Sequence, residues 1–212
     1  MLGMDNKAKV YLGAAVLMLL VLGIGMLVPA AEQVTVWISC TGFLALASLL
    51  LVVATPIIAR ATRHPIAMKA LVLQRQLGIC VFLFALVHVL IAMQMGLGWN
   101  VWFLLDPQAT FLLVGAVAFL ILFAMAATSN DFSVKAMGKN WKRLQMLVYV
   151  AILLVLAHFV NVGQIFAKNP VVVGIVLLFC VAGAYLRFKP KAKPPANAKP
   201  EPMEPSKEEM KQ

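Results

Sequence analysis

Two histidines stand out by what surrounds them. His88 lies in the run Phe82-Leu83-Phe84-Ala85-Leu86-Val87-His88-Val89-Leu90, and His158 in Leu153-Leu154-Val155-Leu156-Ala157-His158-Phe159-Val160. An imidazole in such surroundings can do one of two things. Its nitrogens can bond polar groups of a neighbouring helix, or one of them can ligate a metal. His64 differs, since it precedes Pro65 in a basic segment and reads as solvated. Cys40, Cys80 and Cys180 are isolated in apolar runs without C-x-x-C spacing, so they read as packing residues. No Ser-His-Asp arrangement, metalloprotease motif or Gly-rich phosphate loop is present, and no catalytic residue is assigned.

The elements that must position the histidines follow from composition. The chain has 212 residues, 63% hydrophobic and 12% charged, where soluble domains carry about 25% charged residues. Six stretches are free of Asp, Glu, Lys and Arg: 10–31, 33–59, 76–105, 107–130, 144–167 and 169–186. A helix crosses the roughly 30 Å hydrocarbon core with about 20 apolar residues. Alternating ten-residue segments, the signature of a membrane barrel, are absent. The expected fold is an all-α integral membrane bundle of six transmembrane helices, at about 10–31, 35–59, 74–96, 108–128, 144–165 and 170–187. These form one domain, 1–188. The stretch 189–212, rich in Pro, Lys, Glu and Ala, is expected to be a disordered cytoplasmic tail.

The net charge of +10 would suggest nucleic acid in a soluble protein. Here 17 of the 18 Lys and Arg fall on one face when the spans alternate, leaving Lys168 alone on the other. The positive-inside rule makes the crowded face cytoplasmic, with both termini inside and no nucleic-acid role. Lys7, Lys9 and Val28-Pro29-Ala30 loosely imitate a signal peptide, but the apolar run exceeds the usual h-region, so the first helix is expected to be retained. Trp37, Trp99, Trp102 and Trp141 fall near the predicted interfaces, where indoles anchor helices. The basic run from Lys135 to Arg143 can dock an acidic reductase or attract nucleotide phosphates, with topology plus contact with anionic lipid as the default reading. The Met95–Gln108 connection, the longest on the outer face, is expected to form a short half-buried helix and to be the first docking surface for a partner.

Depth sharpens the histidine chemistry. The third and fifth spans both leave the cytoplasmic face, where His88 follows Arg75 by 13 residues and His158 follows Arg143 by 15. At about 1.5 Å per residue both imidazoles lie roughly 20 Å in, so they can meet one iron from opposite sides. A b-type heme between the helices fits this pair. A bare zinc site would call for a third or fourth ligand, which no Cys or carboxylate at that depth supplies. Interhelical hydrogen bonding by each histidine separately remains open at this level.

A further pattern narrows it. Thr128-Ser129, Met137-Gly138, Trp141-Lys142-Arg143-Leu144, Leu147-Val148-Tyr149 and His158 together resemble the central signature of the MsrQ/YedZ family. That family comprises the heme-binding membrane subunits of the methionine-sulfoxide reductase system, within the ferric-reductase-like transmembrane domain superfamily. Ala54-Thr55-Pro56, Arg75-Gln76-Leu77-Gly78 and Phe84-Ala85-Leu86-Val87-His88 match the same pattern. The likeness covers roughly residues 45–165. It implies an electron-transfer subunit of the bacterial inner membrane carrying one heme b, with His88 and His158 as axial ligands and metal-binding residues. Electrons would come from a cytoplasmic-side flavin or quinol, with a cytoplasmic flavin reductase as an optional partner. They would leave to a periplasmic redox partner protein, the subunit having no substrate active site of its own. The readings kept beside it are a stand-alone ferric or quinone reductase and a heme-free structural subunit. One position departs from the family: Gln145 stands where a second histidine is usual, and Arg75 is its counterpart on the third span. Each lies 13 residues before its histidine, about 20 Å nearer the cytoplasm. Neither ligates heme iron, so a second heme is not expected. Gln145 can hydrogen-bond a quinone or flavin, and Arg75 can pair with a propionate or phosphate; both also suit the headgroup boundary.

Overall fold

The computed structural model describes residues 5–188, and those residues are helical without a strand. The expected tail at 189–212 lies outside the described residues. Five helical stretches are long and apolar enough to cross a membrane: Asn6–Gly25, Ala30–Thr62, Gln74–Gly96, Pro107–Ala127 and Lys139–Val162. Pro170–Leu186 is apolar but shorter. Large apolar side chains such as Leu19, Leu120, Leu153 and Val181 face outward on these helices, as a lipid solvent permits and water does not. This is a multi-pass membrane protein.

Local signals set the element ends. Helices α1 (Asn6–Gly25) and α2 (Ala30–Thr62) are joined by a short turn through Pro29. At 33 residues α2 runs about 50 Å, well beyond the hydrocarbon core, and it ends where Arg63 takes a left-handed φ of 50°. The Pro56 imino group inside α2 leaves a gap in its ladder, beside which Thr55 Oγ1 donates to the Leu51 carbonyl at 2.8 Å. His64 is not merely solvated. Its Nδ1 accepts from Ile66 N at 3.3 Å and caps α3 (Pro65–Val72), a helix the charge pattern concealed. Helix α4 (Gln74–Ile91) runs into a π-helical turn, Ala92–Gly96. Two 3-10 turns, Val101–Leu105 and Pro107–Ala109, lead into α5 (Thr110–Ala127). The outer connection is thus built of short helical turns, with Leu97 and Leu104 in a cavity wall and Trp102 76% accessible.

The basic run expected between the fourth and fifth spans folds as α6 (Asp131–Met137) and α7 (Lys139–Gln145), hinged at Gly138 with φ 52° and ψ −122°. The Asn130 side chain caps α6 by accepting from Ser133 N at 2.8 Å. A turn at residues 146–147 then separates α7 from α8 (Val148–Val162), and α9 (Pro170–Phe188) closes the described chain. Packing is pairwise. α4 lies chiefly on α2, α8 on α5, and α1 against α2 and α4. Trp37 does more than mark an interface, because its Nε1 donates to the Leu22 carbonyl at 2.9 Å and ties α2 to α1 over Gly25. One core cluster of Leu49, Val81, Ala85, Leu122 and Ala151 joins the two pairs across the middle of the bundle.

Candidate functional site

The structure brings His88 of α4 and His158 of α8 together, with ring centroids 6.3 Å apart and planes 78° apart. Both line an apolar cavity of about 250 Å³, walled by Gly42 and Leu46 of α2, Leu112 and Gly115 of α5, and Phe166 after α8. Each ring is held through Nδ1. His88 Nδ1 lies 3.0 Å from the Ile38 carbonyl oxygen, and His158 Nδ1 lies 2.8 Å from that of Phe111. A carbonyl only accepts, so Nδ1 carries the proton in both rings and Nε2 keeps its lone pair. That is the protonation state a metal ligand requires, with the outer hydrogen bond fixing the ring.

A repeated backbone device makes this possible. In a helix, the carbonyl of residue i bonds the N–H of residue i+4, and the side chain at i+4 normally crowds that oxygen. Gly42 is four residues after Ile38, and Gly115 four after Phe111. A Cβ at Gly42 would lie 2.8 Å from His88 Cε1 and 2.9 Å from its Nδ1; at Gly115 it would lie 2.5 Å from His158 Nδ1 and 2.8 Å from Cε1. Both glycines therefore bare a carbonyl and make room for an imidazole.

The arrangement fits heme. A metal bound to two Nε2 atoms at about 2 Å each, with roughly 1 Å more to each ring centre, would set the centroids about 6 Å apart, close to the 6.3 Å observed. Among the described residues no group of three or more His, Cys, Asp and Glu could hold a bare ion. A macrocycle that brings its own four equatorial donors needs only two axial imidazoles and an apolar slot. Ser39 Oγ, buried without a partner in the cavity wall, adds one spare polar atom. Gln164 also lines the cavity, and Lys168 Nζ donates to its Oε1 at 3.4 Å. Ser39, Gly42, Gly115 and the two carbonyls escaped the sequence reading. The available signal was an isolated glycine inside an apolar span, which calls for a packing reason.

Arg75 and Gln145 are placed together too, on a different cavity. It measures about 310 Å³ and is lined by Gln74, Arg75, Trp141, Gln145 and Tyr149 over walls from α2, α4 and α5. Arg75 Nη1 donates to Asp131 Oδ1, joining the start of α4 to α6. That hydrogen bond, with the guanidinium charge, holds the Asp131 carboxyl below the usual carboxylate range. Gln145 Nε2 donates to the Met125 carbonyl at 3.2 Å. Leu49 and Leu122 line both cavities, so a single layer of side chains separates the two.

Comparison with known proteins adds a family. The ferric reductase like transmembrane component family matches residues 41–156, a stretch that includes His88 and ends two residues before His158. Curated relatives from Brucella ovis, Brucella suis and Brucella melitensis biotype 2 are 31% identical over 132 residues, 59% of this chain. Each bears the name protein-methionine-sulfoxide reductase heme-binding subunit MsrQ. The match spans 60% of the length of those relatives. No solved structure matches the chain.

Proposed function

The chain belongs to the ferric reductase like transmembrane component family, and from that premise we propose that it is the heme-binding membrane subunit of an electron-transfer system. In this reading it is a b-type cytochrome of the bacterial inner membrane. It carries electrons from a flavin or quinol donor on the cytoplasmic side to a periplasmic acceptor, a methionine-sulfoxide reductase catalytic subunit. The single observation that carries the reading is the His88–His158 pair, 6.3 Å between centroids across an apolar cavity. The likeness to relatives named as heme-binding subunits supports the same cofactor.

His88 and His158 would hold the heme iron, each offering Nε2. Heme bound there supplies a one-electron carrier that cycles between ferric and ferrous iron. The residues around it do the rest. The Ile38 and Phe111 carbonyls keep Nδ1 protonated and the rings oriented, Gly42 and Gly115 set their depth against the helices, and the leucine and phenylalanine walls exclude water. Helix α9 serves as a sixth span, which returns the chain to the cytoplasmic face and puts the basic segments α3, α6 and α7 on that side with both termini.

Protein purified in detergent and supplemented with hemin should show a Soret band with low-spin bis-histidine features. His88→Ala and His158→Ala should each remove those features. A colourless protein after supplementation refutes the proposal and leaves the histidines as interhelical hydrogen-bonding groups.

A further inference from the structure

We propose that Lys168 and Gln164 form an anion-binding rim on the histidine cavity, which receives the propionate carboxylates of the macrocycle. The inference rests on the heme reading above and deepens it by giving the charged edge of the ligand its place in the protein.

The chemistry of the cavity is one-sided. Among the described residues that line it, only Ser39 and Gln164 are polar apart from the two histidines. A carboxylate enters an apolar wall unpaired only at a large desolvation penalty, so the charged edge of a porphyrin must meet a polar stretch of rim. Gln164 supplies that stretch. Its Oε1 accepts from Lys168 Nζ at 3.4 Å, which puts an ammonium at the same place. An ammonium has three N–H groups and a side-chain amide two, of which this contact takes one. Lys168 is also the residue that alternation of the spans leaves alone on the outer face. The bias that collects the other 17 Lys and Arg opposite gives no reason for it; an acidic ligand edge does.

The rim is held in place on both sides of Gln164. Phe166 stacks on Phe43 of α2 with centroids 4.3 Å apart. A Cβ at Gly163 would lie 2.5 Å from the Phe159 carbonyl oxygen and 2.6 Å from Ala167 Cβ, so the chain folds tightly on itself directly after α8. Ser39 marks the same end of the cavity. It stands one helical turn before Phe43 and on the same face of α2. In that helix Thr41, Thr55 and Thr62 each donate to the carbonyl four residues back. Ser39 does not, and its Oγ is buried without a partner, which is unfavourable until a ligand supplies an acceptor. The opposite end offers nothing comparable. Its wall is Leu49 and Leu122, and Arg75 lies beyond that layer, paired with Asp131.

The test titrates the full chain, in neutral detergent micelles, with hemin and with hemin dimethyl ester, in which both propionates are blocked. Binding is read at the Soret band. The ratio of hemin to diester affinity should fall about fivefold from wild type to Lys168→Gln, the scale of a partly exposed ion pair. It should fall in Gln164→Leu also, and Lys168→Arg should keep it, because a guanidinium pairs with carboxylates as well. Lys139→Gln removes the same charge from α7 and should leave the ratio as in wild type. Each ratio is taken within one variant, so partial loss of folded protein does not imitate the result. Equal ratios in wild type and Lys168→Gln overturn the inference. A fall in Arg75→Gln that Lys168→Gln does not share also overturns it, and puts the propionates at the inner end. Either result leaves the heme reading standing, whereas a wild type that takes up neither porphyrin refutes that reading and the rim with it.

Discussion

Replacing Gly115 with alanine separates a glycine that holds an imidazole from one that merely lets helices approach. The new Cβ would stand 2.5 Å from His158 Nδ1, while ordinary contact begins at 3.4 Å. The ring must therefore withdraw by roughly 1 Å, which stretches its 2.8 Å bond to the Phe111 carbonyl beyond hydrogen-bond range. Losing that bond costs about 1 kcal/mol, and alanine in place of glycine inside a helix returns about the same. Global stability should thus change little. Cofactor affinity should not be spared, because disturbing the partner that orients a metal-bound histidine typically costs about 10- to 100-fold, or about 1.4–2.7 kcal/mol. Hemin titration read at the Soret band, with a thermal melt of the apoprotein on the same preparation, measures both quantities. Gly42→Ala should fall between Gly115→Ala and wild type, since its nearest ring atom is 2.8 Å away and needs a smaller shift. Wild-type hemin affinity and an unchanged low-spin spectrum in Gly115→Ala would refute the reasoning, as would a melt that falls in step with affinity.

Asp131→Asn should lower the melting temperature slightly at neutral pH and not at all in acid. Arg75 depresses the Asp131 pKa below its ordinary 3.8, so the pair's contribution is fully present above that value and disappears as pH falls through the lower, folded-state pKa. The two melting curves should therefore begin to converge as pH falls below about 4 and meet once it lies well below the folded-state pKa, and a gap that does not narrow over that range contradicts the ion-pair account. Gly138→Ala should cost about 1–3 kcal/mol, because φ 52° with ψ −122° is a conformation side chains resist; nothing lies within 4 Å of the added Cβ, so the loss is backbone strain alone. Hemin at about 100 times its dissociation constant should stabilise wild type by about 2.7 kcal/mol, seen as a raised melting temperature that His88→Ala and His158→Ala both lack.

The parts of the fold legible in the sequence were those governed by a fixed rise per residue. Charges mark where a span begins, and 1.5 Å per residue carries the count to His88 and His158. That arithmetic nominated the pair which the structure places 6.3 Å apart. Features governed by backbone geometry were not legible. The Ile38 and Phe111 carbonyls have no signature, because every residue carries one. The start of the fifth span was also hidden, since Lys139–Gln145 is helical although charged, and the turn at residues 146–147 interrupts the run the charges implied. His64 illustrates the same point at a smaller scale, its capping role depending on the φ and ψ around it rather than on its neighbours' polarity.

The site also has an order that the residue string conceals. The chain carries no evident internal repeat, yet its two tightly packed helix pairs make the same contribution in the same sequence. In α2 and α4 these are a carbonyl at Ile38, a glycine four residues on, and a histidine on the partner helix. In α5 and α8 they are Phe111, Gly115 and His158. Each half is complete as a device for orienting one imidazole, and a site with two imidazoles needs both halves. A ligand that takes an axial bond from each half therefore bridges two units otherwise joined mainly through Leu49, Val81, Ala85, Leu122 and Ala151. The same layer divides the outer cavity from the inner one. Its packing must serve two ends at once, holding the halves in register for the paired imidazoles and keeping the two cavities one side chain apart. A cavity-forming substitution in that layer, Leu122→Ala among them, would remove a side chain that lines both cavities, so it is here rather than at the lipid-facing surface that packing would bear on the proposed electron transfer.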